Sequence, residues 1–152
     1  MILYCDSSAL VKRYVSEHGS AAIRAAINRA DAVGTSAIGC VEVVATFAKL
    51  VLMGRISESV GLRLIGAFRD DRPGLVIGEL IPETFGLAEK FAWSYFLRGY
   101  DSVHLASAYL WQTLLEASVT VATFDEPLWH ASNLAGLSVF PDDLPELLDS
   151  WK

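Results

Sequence analysis

The sequence has only two cysteines, Cys5 and Cys40, and it lacks any closely spaced pair of Cys or His residues. Structural zinc sites need paired Cys or His ligands at short spacing, and His18 and His104 do not complete such a pattern with the cysteines. We therefore expect two reduced, buried thiols, as in a cytoplasmic protein, rather than a zinc site or a disulfide framework.

Long apolar runs are also missing, although 53% of the 152 residues are hydrophobic. No run reaches the roughly 18 residues that a membrane helix needs. The first residues lack the basic flank, the long apolar region and the small-residue cleavage site of a signal peptide. We expect one globular domain over residues 1–152, located in the cytoplasm and without a membrane partner.

Positive charge is scarce, with 12 Lys and Arg against 18 Asp and Glu and a formal net charge of -6. Proteins that bind nucleic acid by charge alone are usually basic. The acidic balance therefore counts against a simple nucleic-acid-binding module. It leaves open an enzyme that carries its positive charge as a bound metal ion.

Short apolar segments alternate with helical ones along the chain. Strands are predicted at residues 2–5, in AVGTS, in LVIGEL, at Val119–Phe124 and in LSVF. Helices are predicted from Ser8 to Glu17, from Ser20 to Ala30, from AIG to Gly54, from Ser57 to Asp70, from Pro82 to Arg98, from Asp101 onward and from Asp125 to Gly136. This order predicts an α/β fold with a central, mostly parallel sheet of about four or five strands flanked by helices.

Two aspartates, Asp6 and Asp125, each follow an apolar strand and precede a helix. Ligands of such sheets gather beyond the carboxyl ends of the strands, where the strand order reverses. Capping explains each acid equally well, because Asp is a favoured helix N-cap worth about 0.5–2 kcal/mol relative to Ala. Asp101 also stands at a predicted helix start, so any one of the three acids, taken alone, is explained as a cap.

Glu42 lies inside a very apolar predicted helix, on a polar stripe that also contains Gly39, Thr46 and Lys49. That stripe faces either solvent or a cleft. If Glu42 and the strand-end acids meet, their charges repel unless some bind protons or a divalent cation binds between them. Oxygen ligands suit Mg²⁺ or Mn²⁺, and such clusters commonly hydrolyse phosphodiesters.

Four segments, LYCDSSALVK, TSAIGCVEVV, YDSVHLASA and ATFDEPL, occur in the order typical of one family. In these segments the chain resembles PIN-domain proteins, above all the VapC-type ribonuclease toxins of type II toxin–antitoxin systems. The resemblance implies a single PIN-like nuclease domain with one or two bound Mg²⁺ or Mn²⁺ ions. It implies four catalytic and metal-binding acids with two supporting hydroxyl residues: Asp6, Glu42, Asp101 and Asp125, with Ser8 and Thr123.

The same resemblance implies an activity and partners. The expected activity is metal-dependent endoribonuclease cleavage that leaves 5′-phosphates and inhibits translation or growth. The expected partners are RNA, a cognate VapB-type antitoxin and a second copy of the chain in a homodimer. The alternatives are a non-catalytic PIN-like RNA-binding or regulatory domain and a housekeeping RNA-processing PIN nuclease. A haloacid-dehalogenase-type phosphatase is disfavoured, because Ser8 stands where its second Asp is needed.

A few residues outside the four acids also attract attention. His104 lies one helical turn after Asp101, and we favour a packing or hydrogen-bonding role over a ligand or general base. Lys12 and Arg13 either line an RNA path or are ordinary solvated charges. The aromatic residues of the FAWSYF segment are predicted to make core or oligomer contacts rather than to stack on RNA.

Overall fold

The computed structural model describes residues 1–152 and contains one five-stranded sheet in which every strand is parallel to its neighbours. The strands are β1 (Ile2–Cys5), β2 (Ala32–Ser36), β3 (Val76–Gly78), β4 (Val119–Ala122) and β5 (Ser138–Phe140). Their order across the sheet is β3-β2-β1-β4-β5. The α/β class and the parallel sheet predicted from the sequence are confirmed, with five strands.

Helices connect the strands and cover both faces of the sheet. They are α1 (Ser7–Tyr14), α2 (Ser20–Arg29), α3 (Ala37–Leu52), α4 (Glu58–Asp71), α5 (Pro82–Tyr95), α6 (Gly99–Leu115), α7 (Glu126–Leu134) and α8 (Leu144–Ser150). Each predicted helix is present, with ends that differ by a few residues. The largest differences are at α1 and α5, which both end three residues earlier than predicted, at Tyr14 and Tyr95. None of the helices combines the length and apolar composition that a membrane crossing requires.

The alternation of side chains along β1 divides the core in two. Leu3 and Cys5 point into one apolar cluster, with residues of α1 to α4, and Tyr4 points into the other, with residues of α5 to α7. This division follows from the strand period of two residues. A strand buried on both faces therefore reads as a continuous apolar run, which is why β1 could be identified in the sequence.

The strand order reverses between β1 and β4. The chain moves outward from β1 through β2 to β3, and then returns to place β4 on the other side of β1. Cys5 pairs with Ala122, so the residues just after these strands are neighbours. The Asp6 amide continues the ladder by donating to the Ala122 carbonyl at 3.1 Å. The carboxyl edge at β1 and β4 is therefore the place where the fold collects its polar side chains.

Candidate metal-binding and active site

Asp6 is the most enclosed of the acids at this edge, with 4% of its surface exposed. Its Oδ1 accepts hydrogen bonds from the Ala9 amide and the Ser8 hydroxyl, both at 2.8 Å. Its Oδ2 accepts from the Thr123 hydroxyl at 2.7 Å and from Ser8 at 2.9 Å. The bond from Ala9 makes Asp6 the N-cap of α1. Capping and a place at the site are therefore combined in one residue.

Ser8 and Thr123 join the end of β1 to the loop after β4. Ser8 Oγ accepts from the Phe124 amide at 2.8 Å, and Thr123 Oγ1 accepts from the Asp125 amide at 3.0 Å. Each hydroxyl thus donates to Asp6 and accepts from a backbone amide of the loop after β4. The structure brings both predicted supporting residues into contact with Asp6 and so fixes the direction of its carboxylate.

Asp101 and Asp125 are held differently, by one arginine. Arg98 Nε donates to Asp101 Oδ2 and Arg98 Nη2 donates to Asp125 Oδ2, each at 2.7 Å. The Arg98 side chain is 75% exposed, whereas those of Asp101 and Asp125 are 12% and 23% exposed. Arg98 was not predicted from the sequence, although its position three residues before Asp101 at a helix start is the spacing at which such ion pairs form.

The helix-cap interpretation holds for Asp125 and is wrong for Asp101. Asp125 Oδ1 accepts from the Leu128 amide at 3.1 Å and caps α7. The α6 helix begins at Gly99 with Arg98 at the cap position, so Asp101 lies inside the first turn. Since Asp101 makes no capping bond, capping does not explain why an acid is buried at this place.

Glu42 reaches the site from α3 and is bonded to a buried histidine. His104 is 2% exposed, and its Nε2 lies 2.6 Å from Glu42 Oε2 while its Nδ1 lies 2.8 Å from the Tyr4 hydroxyl. A carboxylate oxygen only accepts hydrogen bonds, so Nε2 of His104 carries the hydrogen and donates to Glu42. In the neutral imidazole Nδ1 then accepts from the Tyr4 hydroxyl. His104 has the hydrogen-bonding role that we expected.

Gly39 allows this close approach of α3 and α6. A Cβ atom at Gly39 would lie 2.3 Å from Thr35 Oγ1 and 3.1 Å from the His104 ring. A side chain there would therefore push His104 away from Glu42 or displace the helix. The polar stripe of α3 thus contacts α6 at one end and faces a cleft rather than open solvent at Glu42.

The cleft has a volume of about 350 Å³ and is lined by Glu42, Arg98, Gly99, Tyr100 and Asp101. Burial raises the pKa of the Asp101 carboxyl, and the hydrogen bond from Arg98 opposes that shift. Burial also raises the pKa of Asp6, against nearby His104 and the bonds from Thr123, Ala9 and Ser8. Asp6 and Asp101 therefore resist ionisation unless a cation compensates their charge.

The donor set fits a hard divalent cation. All four acids offer carboxylate oxygens, the ligands that Mg²⁺ and Mn²⁺ prefer. Glu42 Oε1 and Asp101 Oδ1 have no hydrogen-bond partner in the protein. No three acidic, histidine or cysteine side chains are gathered as a ready-made metal-binding cluster, however. The acids share one edge, and Arg98 bridges two of them, Asp101 and Asp125.

The other residues of interest lie in ordinary contacts. Lys12 is buried, pairs with Glu17 at 2.8 Å and lies 4.7 Å from the ring centre of Phe124. The prediction of a solvated Lys12 is therefore wrong, because its aliphatic stem is covered and its charge is paired. Arg13 pairs with Asp71 at 2.9 Å.

The aromatic segment of α5 divides between core and surface. Phe91 is buried in the core cluster, as predicted, whereas Trp93 and Phe96 are 83% and 91% exposed. The latter two rings have no core role, and the prediction of an oligomer contact for them stays a prediction.

Comparison with solved structures finds the same fold in several other proteins. PAE2754 from Pyrobaculum aerophilum is 17% identical with a TM-score of 0.65, over 98% of this chain and 90% of that one. FitAcB from Neisseria gonorrhoeae is 18% identical with a TM-score of 0.66, over 92% and 96%. VapBC2 from Rickettsia felis, bound to a DNA fragment from their promoter, is 10% identical with a TM-score of 0.64, over 91% and 97%.

These identities are too low to carry more than the fold, and a comparison with curated protein sequences found no match. The family is shown by a different finding. The model of the PIN domain matches residues 3–132, which is most of the chain and includes all four acids. The chain belongs to the PIN domain family.

Proposed function

We propose that the protein is a divalent-metal-dependent endoribonuclease that cleaves RNA phosphodiester bonds and leaves 5′-phosphate ends. The observation that carries the proposal is the position of Asp6 and Asp125 directly after the neighbouring strands β1 and β4, beside an open cleft that Glu42 and Asp101 line. PIN domains are generally nucleases, and oxygen-rich carboxylate sites with bound Mg²⁺ or Mn²⁺ are suited to phosphodiester hydrolysis.

In this proposal Asp6, Asp101 and Asp125 hold the cation, and Glu42 holds a second ion or orients the attacking water. When bound, the cation polarises the scissile phosphate and makes a bound water more acidic. The protein's own part is to fix the oxygens: Ser8 and Thr123 immobilise Asp6. His104 donates to Oε2 of Glu42 and leaves Oε1 free to accept a hydrogen bond from water.

The test uses purified protein freed of any partner and incubated with total RNA and Mn²⁺ or Mg²⁺. Wild type should produce fragments with 5′-phosphates, and both Asp6→Asn and a chelated sample should lose this activity. Asp70→Asn is the matched control, since Asp70 is an exposed aspartate of α4 without a salt bridge. Equal cleavage by wild type and Asp6→Asn would contradict the assignment of the centre.

A non-catalytic PIN-like domain is the second candidate, and the Arg98 bridge favours it, since Arg98 neutralises two of the acids without a metal. Isothermal titration with Mn²⁺ separates the two functions. The nuclease should bind Mn²⁺ through Asp6, so that Asp6→Asn binds it far more weakly. A wild type that binds neither Mn²⁺ nor Mg²⁺ would favour the non-catalytic domain.

We further propose that this nuclease is the toxin of a toxin–antitoxin pair and that a VapB-type antitoxin covers it. The similarity to FitAcB and VapBC2 supports a partner of this kind. An apolar groove of about 410 Å³ between α3 and α4, which includes Val41, Val44 and Phe68, offers a surface for it. Induced expression should arrest growth for wild type and not for Asp6→Asn, and co-expression of the neighbouring antitoxin gene should restore growth.

A homodimer is part of the same proposal. The exposed rings of Trp93 and Phe96 support it, because large apolar side chains without a partner are typical of interaction surfaces. Light scattering of the purified chain tests it. A dimer that Trp93→Glu converts to a monomer is the expected result, and a monomeric wild type at all concentrations would contradict the proposal.

A further inference from the structure

Arg98 is the one Lys or Arg residue that forms a salt bridge with any of the four acids. Its guanidinium spans two carboxylates, with Nε on Asp101 and Nη2 on Asp125, each at 2.7 Å. The planar fork of an arginine suits such a bridge, which a lysine ammonium cannot form in the same way. The positive charge therefore lies between two of the acids that the proposed function assigns to the cation.

The backbone of Arg98 is fixed at the start of α6, while its side chain lies mostly in solvent. Its carbonyl accepts the first helical bond of α6, from the Ser102 amide at 3.0 Å. The side chain is 75% exposed and runs through the open cleft that Glu42 and Tyr100 also line. An ion pair at this exposure gains little, because water and salt compete for both partners. The guanidinium can therefore leave the two carboxylates without disturbing the fold.

A divalent cation and the guanidinium compete by charge for the same two carboxylates. Arg98 lies on Asp101 Oδ2 and Asp125 Oδ2, so a divalent cation bound between these carboxylates would lie beside a second positive charge that repels it. The cation has the larger charge and would compensate all the acids, whereas Arg98 touches only two of them. The two cations therefore compete for one pair of carboxylates.

We propose that Arg98 is a built-in counter-ion, which holds Asp101 and Asp125 together in the metal-free protein and is displaced when a divalent cation binds them. The inference rests on the proposed metal-dependent function. It specifies how Asp101 and Asp125 are held in position before the metal binds. It makes Arg98 a positioning residue that sets the metal affinity. Because the exchange is a competition, removal of the guanidinium strengthens metal binding.

The first test measures Mn²⁺ binding by titration of the free Mn²⁺ signal in electron paramagnetic resonance. Arg98→Met, which keeps the length of the side chain and removes its charge, should bind Mn²⁺ about threefold to tenfold more tightly than wild type. Arg29→Met is the matched control, because Arg29 is an exposed arginine at the end of α2, just before β2 and thus away from the carboxyl edge. Its Mn²⁺ affinity should equal that of wild type.

Equal or weaker Mn²⁺ binding by Arg98→Met would overturn the inference and leave the proposed function intact. Absence of Mn²⁺ binding in wild type and all variants would overturn both. A second measurement follows Arg98 itself through the ¹⁵N resonance of its Nε–H group, identified by its loss in Arg98→Met. This resonance should move to the position of exposed arginines as diamagnetic Mg²⁺ is added. An unmoved resonance in the Mg²⁺-saturated protein would overturn the exchange.

Discussion

Two parts of the same sheet edge hold their acids by opposite means. Asp6 is 4% exposed and receives its hydrogen bonds from the backbone and from two short hydroxyl side chains. Asp101 and Asp125 share one arginine whose side chain is 75% exposed. The difference separates a carboxylate fixed when the chain folds from a pair whose arrangement can change afterwards.

The difference follows from the side chains that each part uses. Ser8 and Thr123 have few rotatable bonds, so ordering them costs little conformational entropy, and their bonds to a buried acid are shielded from water. Arg98 has a long side chain that loses more entropy in any one position, and its ion pairs lie in solvent. We infer that the Asp6 part, which consists of Asp6, Ser8 and Thr123, is preorganised for a cation. The Arg98 part, which consists of Arg98, Asp101 and Asp125, adapts to the cation.

The largest expected effect on Mn²⁺ affinity comes from a change in the Asp6 part. Thr123→Val removes a donor to Asp6 and an acceptor for the Asp125 amide while keeping the shape of the side chain. Loss of such a supporting group typically costs about 10-fold to 100-fold in metal affinity. We expect a loss of this size in a Mn²⁺ titration.

The matched control for this change is Thr120→Val. Thr120 lies in β4 at the same sheet and makes no side-chain hydrogen bond. Its Mn²⁺ affinity should stay within about twofold of wild type. If both valine variants bound Mn²⁺ like wild type, the Asp6 part would not be preorganised by Thr123.

The second effect concerns Glu42, which the structure holds through His104. His104→Leu removes the donor to Glu42 and leaves the Tyr4 hydroxyl without that partner. We expect RNA cleavage to fall about tenfold, with a loss of about 1–3 kcal/mol in the free energy of unfolding from the orphaned phenol. His104→Gln, whose amide can still donate to Glu42, should recover most of the activity. A glutamine variant as impaired as the leucine one would show that packing, not the hydrogen bond, is what matters.

A third effect uses pH to test the burial of Asp6. Burial raises the pKa of this carboxyl, so the folded metal-free protein holds the proton more tightly than the unfolded chain does. The contribution of Asp6 to the free energy of unfolding therefore falls as pH rises through its raised pKa, and recovers below it. Mn²⁺ binding, which needs the ionised form, should weaken as pH is lowered, beginning above the ordinary Asp range near 3.9.

Thermal unfolding of wild type and Asp6→Asn from pH 4 to pH 8 isolates this contribution, because the other titrating groups are common to both proteins. The melting temperature of wild type should fall relative to the variant as pH rises. A difference that is independent of pH would show that Asp6 has an ordinary pKa in the fold.

Much of this arrangement was predictable from local sequence. The apolar runs that end at Cys5 and Ala122 identify two buried strands, and an acid after each run identifies the carboxyl edge. Family resemblance predicted Glu42 and Asp101 as site residues, whereas the local pattern alone could not distinguish a surface role from a role in a site. The ends of α1 and α5 were missed by a few residues, because the boundary is set by tertiary contacts rather than by the periodicity of the apolar residues.

The contacts between distant residues could not be predicted. Arg98 contacts Asp125 across 27 positions of the chain, and His104 contacts Tyr4 across 100. Neither pairing has a local pattern, because it depends on which helix ends the sheet topology brings together. Only the spacing of Arg98 and Asp101 within one helical turn was visible, and it is a common spacing for solvated ion pairs.

The smallest expected effect tests whether the Arg98 part alone is exposed to solvent. Added KCl screens exposed ion pairs, since the screening length falls from about 10 Å at 0.1 M to about 3 Å at 1 M. The advantage of Arg98→Met over wild type in Mn²⁺ affinity should therefore shrink by about twofold to threefold between 0.05 M and 0.5 M KCl. The ratio between wild type and Thr123→Val should not change, because the bonds to Asp6 are buried. Equal salt dependence of both ratios would mean that the ion pairs of Arg98 are no more exposed to solvent than the hydrogen bonds to Asp6. If only the advantage of Arg98→Met shrinks, the guanidinium of Arg98 is identified as the cation that the metal displaces.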